Sequence, residues 1–358
     1  MPISTEVLNT TFADLRGPLV NSFVRSNELF EALDSKARMP MEGGSLIERS
    51  FTGGAPARGV GIYVGDELLN MTRRQQIKKF QVEPHRIVVA VNIPKKELMF
   101  NSGKLAIMRL IEEYPKTVMD GVKADLNKYF LTGVSRGIVF QTSELRGFLT
   151  LNGQVSTGIG TGVTNGLLDF AAPASQTDVV QGVTKSNSYF HFNQFGNMSA
   201  AAFDITDLRK TYRECAHYAG GMGKGPDLVY MDQDVYTQFE ENQANNFRIN
   251  VNTVQDGVDN GSNTIELSLG LAKVYSSIDL DTANFSAEVS GVRPDRGVTY
   301  ILNTDYLEMP VHEAPQMSEF KERVGDQDVV TAVFSMQSNL ISTKLPAHGC
   351  VAGGSGNP

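Results

Sequence analysis

Residues used for disulfide bonds and metal sites are scarce in this sequence. Its 358 residues include no tryptophan, and its two cysteines, Cys215 and Cys350, lie far apart. We therefore expect neither a disulfide framework nor a zinc site built on cysteine pairs. The five histidines also lack the paired spacing of metal ligands. No metal and no other cofactor is predicted.

Long apolar runs are missing as well. No stretch of about 18 apolar residues occurs, so neither a transmembrane helix nor a membrane partner is predicted. Residues 1–16 contain Glu6 and Asp14 and lack the basic-then-apolar order of a signal peptide. We expect a protein that is made and kept in a cytoplasm.

The net charge of −8 is unevenly distributed along the chain. Residues 46–100 hold nine Lys and Arg against five Asp and Glu, whereas residues 135–300 hold eleven against eighteen. A dedicated nucleic-acid binder is usually basic, because its affinity comes largely from contacts with phosphates. Two interpretations stay open: solvated faces, or complementary surfaces on copies of the same chain.

The first ninety residues contain segments that cannot form a core of their own. Residues 4–35 are typical of two short amphipathic helices, whose apolar stripe includes Phe23, Phe30 and Leu33. Residues 46–93 predict an extended two-stranded arm with a flexible tip, and Pro84 indicates an edge or a bend. Because such an arm buries little of itself, we expect it to lie on a neighbour.

The longest periodic stretch, residues 101–133, predicts a helix of about 45 Å. Ser102 is its predicted N-cap, Gly133 follows its C-terminus, and Pro115 should kink it. Its apolar residues form one stripe that includes Leu126. We therefore expect the helix to lie across a surface without being buried all round.

Residues 135–300 alternate short strands with two helices. Asp204 is the predicted cap of the first helix, Gly220 and Gly221 end it, and a strand at Leu228–Met231 precedes the second. A hairpin is predicted near "TIELSLGLAKVYSS", and strands return from Val298. Residues 153–188 resemble a long surface loop, and residues 347–358 a loop or disordered tail.

Two motifs suggest catalysis but stand in the wrong context. Ser135 lies in a G-x-S-x-G sequence, which in serine hydrolases follows a strand and precedes a helix. Here a predicted helix precedes it and a strand-like "IVFQ" follows, so a glycine-rich helix exit explains it better. Gly223-Lys224 similarly follows a helix, whereas a phosphate loop precedes one. Cys215 fits a small core residue better than a nucleophile, and His217 a surface residue better than a ligand.

One dense basic cluster, "RRQQIKK", comprises Arg73, Arg74, Lys78 and Lys79. It fits an ion-pair patch against an acidic neighbour, a solvated loop tip or a nucleic-acid contact. No aromatic residues are interleaved with these charges, as stacking on bases would require.

The order of these elements resembles the major capsid protein of tailed bacteriophages, whose shell fold is named after phage Hong Kong ninety-seven. The resemblance covers nearly the whole chain and is carried by four quoted stretches. These are "GGSLIERSFTGGAPARGVGIYV", "NSGKLAIMRLIEEYPKTVMDGVKADLNKYFLTG", "GKGPDLVYMDQDVYTQFEENQ" and "GVTYILNTDYLEM". In that family they correspond to the extended loop, the spine helix, a strand–helix unit of the axial domain and a strand returning to the peripheral domain.

The resemblance implies an α+β fold with defined parts. They are an N-terminal arm (1–45), an extended loop or E-loop (46–93), a peripheral domain with the long spine helix (94–134 and 301–346), an axial domain (135–300) with a Gly/Ser/Thr-rich insertion near 153–188, and a flexible tail (347–358). It also implies contacts between subunits, for which Arg73, Arg74, Lys78, Lys79, Phe23 and Phe30 are candidates.

The implied function is structural and non-enzymatic. Hexamers and pentamers would form an icosahedral shell around double-stranded DNA, bound without sequence specificity, in a virion assembled in a bacterial cytoplasm. Further partners implied are a portal, a decoration protein and a separate scaffolding protein, the last because the chain begins almost directly at the arm. Some members crosslink a loop lysine to a neighbour's asparagine; Lys78 and Lys79 match by location only, and we do not expect the crosslink. Alternatives are an encapsulin-like compartment holding cargo enzymes and a serine hydrolase using Ser135.

Overall fold

The structure of the chain is a computed structural model with side chains. It describes Leu29, Leu33, Leu280 and residues 38–40, 46–52, 77–82, 84–96, 115–118, 120–122, 127–131, 150–152, 166–170, 172–176, 179–186, 190–198, 203–246, 264–267, 270–277, 297–322 and 329–353. Strands and helices are numbered below in chain order over this part. None of the helices described there is long and apolar enough to cross a membrane.

The first of two six-stranded sheets is built around long antiparallel strands. Its members are β1 (Arg38–Pro40), β4 (His85–Pro94), β14 (Leu307–Met317), β15 (Lys321–Glu322), β16 (Val329–Ser338) and β17 (Ile341–Ser342). β16 is central, because it pairs with β4 along its whole length and also with β14 and β15. The predicted alternation of Val330, Ala332, Phe334 and Met336 is confirmed: all four side chains are buried.

The second sheet has the strand order β11-β12-β10-β13-β18-β9. Its members are β9 (Gln194–Asn197), β10 (Leu228–Asp232), β11 (Thr264–Leu267), β12 (Gly270–Ser277), β13 (Val298–Leu302) and β18 (Gly349–Ala352). The predicted hairpin is confirmed as the antiparallel pair β11–β12. Three short pairs complete the described strands: β2 (Ile47–Thr52) with β3 (Ile77–Val82), β5 (Thr150–Asn152) with β6 (Gly166–Leu168), and β7 (Val179–Val180) with β8 (Val183–Thr184).

Two complete helices, α1 (Ile205–Ala219) and α2 (Gln233–Asn246), pack on the same face of the second sheet. The cap predicted for α1 is confirmed, since the Asp204 side chain accepts a hydrogen bond from the Thr206 amide at 2.7 Å. Gly220 ends the helix at φ 118°, a left-handed conformation that favours glycine. Cys215 is fully buried and His217 is exposed, both as predicted.

The predicted long helix is described only in part. Residues 115–118, 120–122 and 127–131 are helical, whereas Ser102, Leu126 and Gly133 lie outside the described residues. The prediction of a single buried stripe is wrong near its C-terminal end, where Lys128 and the three residues after it are all buried. The reason lies in the tertiary structure. This segment packs into the larger of the two hydrophobic clusters, which we call the main core, and the Tyr300 hydroxyl donates a hydrogen bond to the Leu131 carbonyl at 2.9 Å.

Three further predictions are corrected by the described residues. The two-stranded arm at 46–93 is expected from the sequence to bury little of its own surface. Four of its side chains are instead buried in the main core: Ile47, Phe51, Phe80 and Val82. Its last predicted part is the sheet strand β4. The predicted surface loop at 153–188 contains buried Asp169, Gln176 and Lys185.

The predicted flexible tail is also partly wrong. Residues 349–352 form β18, which is buried between β13 and β9. Its short run "GCVA" lacks a long alternating pattern, but the neighbouring strands supply its hydrogen bonds on both sides.

Candidate assembly surfaces

The hairpin β2–β3 positions the described members of the basic cluster. Side chains alternate across a strand, so Lys78 shares the inner face with Phe80, while Lys79 points outward. Lys78 is half-buried, and Lys79 is exposed with its Nζ 3.7 Å from Glu48 Oε2 across the hairpin. Of these two contact candidates, only Lys79 therefore lies on the outer face of the hairpin.

The outer face of the hairpin also carries an apolar residue. Ile77 is 61% exposed, although the alternating pattern around it is typical of a half-buried strand. Glu48 lies on the same face and accepts a hydrogen bond from Gln81 Nε2 at 2.6 Å. This face, defined by Glu48, Ile77 and Lys79, carries one well-exposed large apolar side chain between charged groups. The sequence did not predict that Ile77 is exposed on this face.

The inner face of the hairpin is fixed to the rest of the subunit. The ring centroids of Phe51 and His191 are 4.8 Å apart, and Phe51 also contacts Phe80. Arg49 Nε lies 3.1 Å from Glu308 Oε2, which joins β2 to β14. Burial lowers the pKa of His191 to about 4, so this imidazole is neutral at pH 7. The base of the hairpin is therefore part of the folded subunit.

The remaining predicted site residues lie outside the part of the chain that the structure describes. These are Arg73, Arg74, Phe23 and Phe30, and Ser135 lies outside it as well. From the N-terminal stripe, Leu33 is described and is buried in the main core together with Leu29. The glycine-rich turn after α1 is a helix end followed by a short 3-10 helix at Met222–Lys224, as expected from its position after a helix.

A second surface is the groove between β9 and α1, which we call the β9–α1 groove. It has a volume of about 680 Å³, and its walls include Gln194 and Phe195 from the strand side and Lys210, Arg213 and His217 from the helix. The two elements approach closely because β9 has a glycine at its centre. A Cβ at Gly196 would overlap Thr211 Oγ1 of α1. No sequence motif indicated this groove.

Neither a family model nor a curated protein sequence matches this chain. Among solved structures, a chain of the Cyanophage A-1(L) capsid asymmetric unit aligns over 93% of this chain and 94% of its own, with 13% identity and a TM-score of 0.55. A chain from Mycobacterium phage Ogopogo aligns over 90% and 91%, with 10% identity and a TM-score of 0.51. A virus-like particle from Pyrococcus furiosus aligns over 95% and 98% at 9% identity, but its TM-score of 0.41 is too low to support an inference. The mixed α+β architecture, with its hairpin and two sheets, is the fold of phage major capsid chains.

Proposed function

We propose that this protein is the major capsid protein of a tailed double-stranded DNA bacteriophage. Hexamers and pentamers of the chain form an icosahedral shell that encloses the genome, and the shell assembles in the cytoplasm of a bacterial host. The role is structural and not enzymatic. The observation that carries the proposal is the match in fold to a cyanophage capsid chain over 93% of the sequence.

The parts of the fold take corresponding roles in this proposal. The second sheet with α1 and α2 is the axial domain, and the first sheet with the helical residues between 115 and 131 is the peripheral domain. The hairpin β2–β3 is the base of the extended loop, and residues 1–45 are the N-terminal arm. The outer hairpin face and the tip beyond it contact an adjacent copy.

Further partners belong to the same proposal. A scaffolding protein, a portal and a decoration protein bind the shell, and DNA is enclosed without sequence-specific contacts. The net charge of −8 supports this last point, because an acidic container repels the phosphates of DNA that must slide into it.

Electron microscopy of the full-length chain, expressed in bacteria alone and with the other head genes of its source, tests the proposal. We expect closed icosahedral shells and, with the complete set, shells that protect DNA from nuclease. Shells that enclose protein cargo and no DNA would support the encapsulin-like alternative. A chain that stays monomeric in both settings, or whose Ser135 reacts with a fluorophosphonate probe, would contradict the proposal.

A further inference from the structure

The β9–α1 groove contains an unused hydrogen-bond donor. Gln194 is only 3% exposed, and within the described part of the chain its amide Nε2 has no hydrogen-bond partner. Gln194 lines the groove and lies on the same side of β9 as Gly196, the side that faces Thr211 of α1. A buried donor without a partner is costly, so a group that accepts this hydrogen bond is expected to enter the groove.

The exposed cations beside Gln194, Lys210 and Arg213, favour an acidic occupant. Lys210, Arg213 and His217 are exposed, and their spacing places them on neighbouring positions of one α1 face. Asp207 and Glu214 also line the groove but are half-buried. The two cations of this wall, Lys210 and Arg213, are therefore more exposed than its two carboxylates.

The opposite end of the same sheet carries a helix with the complementary charge. α1 contacts β9 and β18, whereas α2 contacts β10 and β12, so the two helices cover different ends of the strand order. α2 contains Asp234, Glu240 and Glu241 and no lysine or arginine, and all three carboxylates are exposed. It packs on the sheet through Val235 and Phe239, which leaves the acidic face turned outward.

We propose that the β9–α1 groove of one copy receives the acidic face of α2, with Glu240 and Glu241, from the next copy. A carboxylate of the second copy accepts the hydrogen bond of Gln194 Nε2, and Lys210 and Arg213 pair with the remaining charge. The inference rests on the proposed function, which requires contacts between copies of the chain. It identifies the two surfaces that form one of these contacts.

The proposed contact joins two different surfaces, the groove of one copy and α2 of the next. When the next copy passes its own groove to a third copy, the contact is heterologous and repeats head to tail. Such contacts close into rings when the rotation between copies permits. Hexamers and pentamers are rings of this kind. A reciprocal two-fold pairing, in which each groove receives the other copy's α2, would give dimers, and sedimentation velocity distinguishes dimers from rings.

Charge exchange tests the pairing. One variant carries Lys210→Glu and Arg213→Glu, a second carries Glu240→Lys and Glu241→Lys, and a third combines all four. We expect each pair alone to reduce the assembled fraction at least about tenfold, because like charges then face each other at every contact. The combined variant should recover assembly. Sedimentation velocity and electron microscopy measure the assembled fraction, and circular dichroism checks that each subunit is folded.

Gln194 offers a second test that separates binding from folding. Gln194→Leu removes the unused donor, so the melting temperature of the subunit should stay the same or rise while assembly weakens. Gln194→Glu should weaken assembly further, because its carboxylate would repel the carboxylate of α2 that the next copy inserts into the groove. A purely structural glutamine would instead lower the melting temperature when replaced.

The matched control reverses two exposed charges outside both surfaces, Lys273→Glu and Asp305→Lys, and should assemble normally. If the wild type assembles and the charge pairs assemble equally well, or if the folded combined variant fails to assemble, the inference is wrong while the proposed function stands. If the wild type forms no shells under any condition, the proposed function itself is wrong.

Discussion

Asn193 is fully buried, and its side chain joins separate parts of the subunit. Its Oδ1 accepts hydrogen bonds from the Asp169 amide at 2.8 Å and from Lys185 Nζ at 3.2 Å. Its Nδ2 donates to the Asp169 carbonyl at 2.9 Å. Because both the oxygen and the nitrogen of this amide have partners, its burial leaves no unsatisfied polar group. A single asparagine in "HFNQFG" has no local feature that predicts such a role.

Two buried histidines make stability depend on pH. Burial lowers the pKa of both His191 and His348 to about 4, below the ordinary value of 6.5. The unfolded chain therefore binds more protons between these values, and the free energy of unfolding falls as pH drops from 6.5 toward 4. Each histidine contributes up to about 3 kcal/mol to this loss. Urea unfolding at several pH values measures it.

The matched variant for this prediction is His191→Gln, which removes the titrating ring that packs against Phe51. We expect it to be less stable than the wild type at pH 7 but to lose less stability on acidification. Equal slopes for the two proteins between pH 6.5 and 4.5 would show that His191 does not titrate in this way.

At the scale of elements, the hairpin combines an anchored base with a charged outer face. Reversing Arg73, Arg74, Lys78 and Lys79 to Glu should block or misdirect assembly, because the effect recurs at every contact of a shell. The exposed ion pair of Lys79 contributes only about 0–1 kcal/mol to folding. Lys78 is half-buried on the inner face, so a threefold variant that keeps Lys78 separates the effect on assembly from an effect on folding. High salt should weaken wild-type assembly, as screening acts over about 8–10 Å at physiological ionic strength. Sedimentation and circular dichroism give the two readouts.

The ion pair of Lys79 with Glu48 provides the control for the hairpin. Exchanging the two residues, Lys79→Glu with Glu48→Lys, keeps the ion pair within the subunit and the net charge of the outer face, so it should reduce assembly less than the charge reversal does. If the fourfold variant forms normal shells, the basic cluster has no electrostatic role. An unfolded fourfold variant would mean that these charges stabilise the subunit itself.

Elements differ in how well local sequence predicted them. The ends of α1 were predictable because Asp204 and Gly220 act on neighbouring backbone groups. The inward direction of Lys78 was not predictable from local sequence. It follows once the pairing of β2 with β3 shows that Phe80 points inward, because Lys78 lies two residues before Phe80 on the same strand. Which face of a strand is buried depends on its partners, and these are distant in sequence.

At the scale of the whole molecule, the second sheet is completed by the last described strand. β18 pairs antiparallel with β13 and parallel with β9, and its Cys350, Val351 and Ala352 are buried. Within the described residues β9 pairs with no strand except β18. Removing residues 347–358 should therefore prevent folding. Burial of Val351 alone contributes about 1.5–3 kcal/mol, β9 and β13 lose their hydrogen bonds to β18, and the native state is stable by only about 5–15 kcal/mol. Soluble yield and circular dichroism are the measurements.

A shorter truncation is the control for β18. A chain that ends at Gly353 keeps the whole strand and the hydrogen bond from the Gly353 amide to the Gly297 carbonyl at 3.0 Å. It should fold with a melting temperature near that of the full chain. Folded, soluble protein from the longer deletion would show that the second sheet does not require β18.

The sequence by itself determined the features that depend on near neighbours: the ends of α1, the strand at Leu228–Met231, the β11–β12 hairpin and the alternation along β16. Their order along the chain was enough to indicate the capsid fold, because a fold of this kind is recognised by the succession of its elements. Only the tertiary structure decided that residues 349–352 form an inner strand, that Lys185 and Asn193 are buried, and that β9 and α1 enclose a groove. Each of these depends on groups that are far apart in sequence, and a single buried residue or a four-residue strand carries no periodicity from which such contacts could be read.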